Sequence, residues 1–71
     1  MIGYILTETQ KNSIQGQFYS EWQVFSCALD INNIWYIILT SQDEVEVAVS
    51  EYKWVLALPK GEFVPKPVVG L

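Results

Sequence analysis

The stretch Val24 to Leu39, VFSCALDINNIWYIIL, constrains the fold of this chain more than any other. Two apolar runs flank the polar turn Asp30-Ile31-Asn32-Asn33, the pattern of a β-hairpin. Asp30 suits the first position of a type I turn, where its carboxylate accepts a backbone hydrogen bond. Asn33 tolerates a left-handed backbone. A type I turn followed by a left-handed residue makes a three-residue hairpin with a bulge. That turn sets Asp30 opposite Ile34, Leu29 opposite Trp35, Cys27 opposite Ile37 and Phe25 opposite Leu39. Leu29, Trp35, Cys27, Ile37, Phe25 and Leu39 share one face, since side chains alternate along a strand. A two-residue turn at Asn32-Asn33 would pair Leu29 with Tyr36 and carry Trp35 and Leu39 off that face, so the first register is preferred. The other face holds Val24, Ser26, Ala28, Ile34, Tyr36 and Ile38. It is also largely apolar and calls for cover, part of it from another molecule.

Seventy-one residues make one domain, expected over 1–64 with an extended tail at 65–71. A domain this small buries only about 60% of its unfolded surface. The single cysteine rules out an internal disulfide, and there is no histidine. Stability must come from the core or from assembly. The three Trp, four Tyr and three Phe cannot all be interior, and exposed apolar patches mark contact sites. The net charge of −4 argues against binding a nucleic-acid backbone. The longest apolar run, Ile34 to Leu39, is too short to span a bilayer. The first residues lack the features of a signal peptide. The expectation is a soluble chain made in a cytoplasm, with no export signal of its own.

Met1 to Leu6 reads as a short strand. Thr7 and Gln10 form a capping box, Glu8 suits the first turn, and Gly16 ends a helix over Glu8 to Gln15. Gln17 to Gln23 reads as a connection whose Phe18, Tyr19 and Trp22 pack back on the hairpin. Ser41-Gln42-Asp43-Glu44 fits a second capping box. Val45, Val47 and Val49 alternate with Glu44, Glu46 and Ala48 as a strand would, but the cap decides for a helix over Gln42 to Val49. Trp54 to Leu58 reads as a third strand beside the hairpin, Pro59-Lys60-Gly61 as a turn, and Glu62-Phe63-Val64 as extended again. Pro65-Lys66-Pro67 is extended, and an apolar tail runs from Val68 to Leu71. The fold class is α+β: a short N-terminal helix, a central antiparallel hairpin with a third strand, a short second helix and a Pro-containing tail.

Leu6-Thr7-x-x-Gln10, Ile14-x-Gly16, Gln17-Phe18, Asp30-Ile31-Asn32-x-x-Trp35 and Tyr52-x-Trp54-x-x-x-Leu58-Pro59 together resemble small uncharacterised proteins encoded by tailed phages of gut and marine Bacteroidetes. The resemblance runs from about Leu6 to Pro67. It implies an α/β miniprotein in a phage setting, with a helix after Ser41, and supplies no catalytic residues. The Val-rich stretch Val45 to Val49 departs from the more polar helix expected there.

Cys27 is the one strong nucleophile, but it sits on the apolar strand face with no histidine to act as base. Asp43, Glu44, Glu46 and Glu51 are the densest acids; their spacing matches no metal loop and reads as a solvated helix start. Gly3, Gly16, Gly61 and Gly70 match neither dinucleotide nor P-loop spacing. No catalytic residue, metal or cofactor is expected. The favoured function is a non-enzymatic interaction or structural module, a phage virion or accessory component that self-associates or docks on a larger protein. Trp22, Tyr36, Trp54 and Phe63 are the expected contact residues. One alternative is an early phage inhibitor of a host enzyme, presenting the acidic face Asp43, Glu44, Glu46 and Glu51 to a basic cleft. Another is a small carbohydrate-binding module with Tyr19, Trp22, Tyr36 and Trp54 as a stacking platform.

Overall fold

A computed structural model describes residues 1–68, and the hairpin forms in the register its turn dictates. Strands β2 (Cys27–Leu29) and β3 (Trp35–Ile37) pair Cys27 with Ile37, Ala28 with Tyr36 and Leu29 with Trp35. Asn33 has φ +60, the left-handed backbone asparagine tolerates. The buried Asp30 accepts hydrogen bonds from the Asn32 and Ile34 N–H groups at 2.9 and 3.0 Å, so its carboxylate closes the turn.

The hairpin is extended on one side by β1 (Ile2–Leu6) and then β4 (Lys60–Glu62), giving an antiparallel sheet of order β2-β3-β1-β4. The structure departs from the sequence expectation at Trp54 to Leu58 and at Pro59-Lys60-Gly61. Trp54 to Leu58 is not a strand: Lys53–Ala57 is a 3-10 helix. It drives Val55 into the core beside Val47, and the place next to β3 belongs to β1. Pro59-Lys60-Gly61 is not a turn. Pro59 stands just before β4, where no N–H is needed, and its carbonyl accepts from Ile5 N–H at 2.8 Å.

Helix α1 (Glu8–Ile14) starts at the Thr7–Gln10 capping box and is anchored by the fully buried Ile14. Gly16 follows at φ +80, which glycine adopts without strain. Helix α2 (Ser41–Ala48) begins one residue earlier than expected. Thr40, not Ser41, is the N-cap, and Asp43 bonds back to it. The helices and the 3-10 turn cover one side of the sheet. Tyr4, Leu6, Ile14, Tyr19, Phe25, Ile37, Val47 and Val55 pack there as one core. Each fully buried aliphatic side chain in it contributes about 1.5–3 kcal/mol.

The other side carries no helix, and the chain covers part of it by curling. In a flat sheet Met1, before the start of β1, and Ile31, past the far end of β2 two strands away, would stand more than ~20 Å apart. Yet Phe63 N–H donates to Met1 O at 2.7 Å, and Ile31 N–H donates to Val64 O at 2.8 Å. Two consecutive residues reach only about 7 Å. The sheet therefore rolls up, with residues 63–65 strapped across its open side and Pro65 bridged to Asp30. The part of the expected tail at 69–71 lies outside the described residues.

Candidate contact surface

Glycine makes the curl possible. Tyr36 sits opposite Ile5 and is only 4% exposed, although it is on the helix-free side. A Cβ on Gly3 would stand 2.9 Å from Tyr36 Cδ2 and closer still to Ile38 Cδ1. A Cβ on Gly61 would stand 2.9 Å from Tyr36 Oη. The Tyr36 ring thus lies down over two bare backbone positions, and Phe63 closes it off edge-on at 5.4 Å. Tyr36, expected as a contact residue, is interior instead. Phe63 is its half-buried lid. The helix-free face is partly sealed by this chain itself.

The seal meets the β2 strand line only at its turn end, where Val64 and Pro65 join Ile31 and Asp30. From Val24 to Leu29 burial alternates: Val24, Ser26 and Ala28 are exposed, while Phe25 is buried and Cys27 and Leu29 are half-buried. Before β2 the chain makes a second, smaller hairpin. Phe18 bridges Val24, Tyr19 N–H donates to Gln23 O, and Ser20 Oγ accepts from the Trp22 and Gln23 N–H groups. This hairpin sends Tyr19 inward against Phe25, ring centroids 4.6 Å apart, as expected. It sends Phe18 and Trp22 outward, 62% and 84% exposed, against the expectation that both pack back. The physical reason is strand alternation: with Tyr19 and Phe25 facing the core, their neighbours Phe18 and Val24 must face away.

The result is an apolar stripe of Phe18, Trp22, Val24, Ala28 and Ile34, running the length of β2 on the side away from the helices. Trp22 stands at its tip. Trp54 does not join it, because it belongs to the helical layer on the other side, 37% exposed. The pattern of residues 24, 26, 28 and 34 was readable as one hairpin face; Phe18 was missed because the Phe18–Val24 pairing has no turn signal as strong as Asn33.

The acids do structural work instead of forming an open face. Tyr19 Oη donates to Asp43 Oδ1 at 2.7 Å and Tyr4 Oη to Glu44 Oε2 at 3.1 Å. The Thr40 backbone N–H holds the Asp43 carboxyl below the usual range, with the Tyr19 hydroxyl adding to it. Burial, then Asp43, push the Tyr19 hydroxyl well above its ordinary value. Burial and then Glu44 raise Tyr4 as well. Glu46 Oε2 is sealed in this layer with no hydrogen-bond partner among the described residues, while Glu51 is exposed. The four-aromatic platform is not assembled either, since Tyr19 and Tyr36 are interior.

Cys27 is half-buried, and burial pushes its thiol up, away from the thiolate that nucleophilic work requires; the nearby Lys11 acts in the opposite sense. The Lys11 ammonium itself sits over the Trp35 ring at 4.3 Å. Among the described residues no pocket opens and no three His, Cys, Asp or Glu side chains converge to hold a metal. No helix there is long and apolar enough to cross a membrane. Comparison with family models, with curated proteins and with solved structures finds no match.

Proposed function

We propose that the chain is a non-enzymatic interaction module that docks through the stripe along β2. The observation that supports this is the exposed, uncharged run of Phe18, Trp22, Val24, Ala28 and Ile34 on a face the chain's own curl leaves open. Tryptophan at the tip of a hairpin is a typical anchor, because it supplies large contact area for little ordering cost. The resemblance to phage-encoded proteins supplies the setting for this reading, an accessory or virion component of a tailed phage.

A photo-crosslinking side chain at Trp22 tests it in the producing cell, with Glu62 on the β4 edge as control. The reading predicts a discrete adduct from position 22, to a second copy or to a larger protein, and none from position 62. No adduct from position 22 overturns it. The acidic-decoy reading finds less support, since Asp43 and Glu44 are already engaged by tyrosine hydroxyls.

A further inference from the structure

We propose that the partner of the stripe is a second copy of this chain, set antiparallel to the first about a two-fold axis. This rests on the docking reading and adds the occupant and its orientation. The sheet edges point to a face rather than an edge as the interface. On the outer side of the β2 strand line, Phe25 N–H and C=O are taken by Gln17 O and Gly16 N–H, and Ile31 N–H by Val64 O. Cys27 and Leu29 alone lie between those two ties, too short a run to template another strand. The opposite edge carries the charged Lys60 and Glu62, which blunt strand addition. Open-ended growth is therefore suppressed while the apolar stripe is left bare.

Charge placement supplies the orientation. No charged residue occurs from Trp22 to Leu29. Glu21 flanks the Trp22 end of the stripe. Lys66 flanks the other end, next to the Pro65 that bridges Asp30. The two ends are separated by about 20 Å of strand. An antiparallel two-fold arrangement lays Trp22 of each copy over the Ile34 end of its partner. It also brings each Glu21 to the partner's lysine, so the pattern is self-complementary. A parallel arrangement would set like charges against each other. The acids of α2, Asp43, Glu44 and Glu46, lie in the helical layer on the far side of the sheet, so they face away from the pairing surface. The exposed stripe amounts to on the order of 500 Å² per copy, and ~1,000 Å² per pair is the lower bound for a specific interface. A weak, concentration-dependent dimer is the form this predicts.

Sedimentation velocity on the full chain over a wide concentration range tests it. The wild type is expected to shift from monomer to dimer and to stop there. Val24→Lys, or Ser26→Arg should the first variant lose its far-ultraviolet spectrum, is expected to remain monomeric. Glu21→Lys and Lys66→Glu are each expected to weaken the dimer about 3-fold, in the range of exposed ion pairs, and the double variant to restore it. A wild type that stays monomeric throughout overturns the pairing. So does a dimer that survives Val24→Lys and Ser26→Arg. Single charge variants without effect, or a double variant without rescue, overturn the antiparallel arrangement. A monomer that still yields a Trp22 adduct to a different protein overturns the pairing alone, whereas the docking reading falls only if position 22 gives no adduct.

Discussion

Adding one methyl group to Gly3 should unseat the curl. A Cβ there meets Ile38 Cδ1 at well below contact distance, Tyr36 Cδ2 at 2.9 Å and the Ile37 carbonyl oxygen at 3.1 Å. On an ordinary strand position Gly→Ala would favour folding by about 0.5–1 kcal/mol, because the unfolded chain loses freedom. Here overpacking costs about 1–3 kcal/mol, since Tyr36 is hemmed in by Phe63 and cannot retreat. The net effect of Gly3→Ala centres on a loss of about 1 kcal/mol, which lowers Tm by roughly 4–8 °C in a domain of this size. Thermal unfolding followed by circular dichroism reads it directly. The atom met most closely is Ile38 Cδ1, which Ile38→Val removes. Ile38→Val alone costs about 1 kcal/mol, but in the Gly3→Ala background it should cost less or restore stability, a coupling the double-mutant cycle isolates. A Gly3→Ala protein as stable as the parent, or strictly additive variants, would refute the claim that Tyr36 and Ile38 fold down over bare backbone.

Thr40→Ala removes the α2 cap and should cost about 1 kcal/mol in urea unfolding, whereas Ser41→Ala should be close to neutral. Asn33→Val forces a β-branched residue to φ +60 and should destabilise by about 1–2 kcal/mol, while Asn33→Gly is tolerated. The lowered carboxyl of Asp43 contributes stability that is full above about pH 4 and is lost as pH falls through its folded value; Asp43→Asn should flatten that acid limb in denaturant titrations. The raised hydroxyl of Tyr19 works in the opposite direction. Its contribution is full below about pH 10 and declines as pH rises further, and Tyr19→Phe should remove that alkaline decline.

Local chemistry made part of this fold legible in the residues. Asp30 and Asn33 specify the hairpin turn, and the turn specifies the register, so Cys27, Leu29, Trp35 and Ile37 point as read. Thr7 and Gln10 likewise specify the start of α1. What was not legible depends on distant parts of the chain. Trp54 to Leu58 has strand-forming residues, but Val55 is needed as a plug against α2, and that tertiary demand overrides propensity. Lys60 and Gly61 look like a turn beside Pro59, yet Gly61 serves as the bare strand position under Tyr36. Of the contact residues read from the sequence, Trp22 stands on the open stripe, Trp54 on the helical side, and Tyr36 with its lid Phe63 in the curl. Which apolar side chains stay in water was decided by a strap of three residues that no local pattern announces.

The most direct test of the account is solvent accessibility of single aromatic side chains, read by nuclear magnetic resonance with a soluble paramagnetic probe across a dilution series. The account predicts strong broadening at Phe18 and Trp22 in dilute solution that fades as concentration rises, none at Tyr36 at any concentration, and a constant intermediate effect at Trp54. Broadening at Tyr36 equal to that at Trp22 would contradict the curled sheet, and broadening at Trp22 that never changes with concentration would contradict pairing through the stripe.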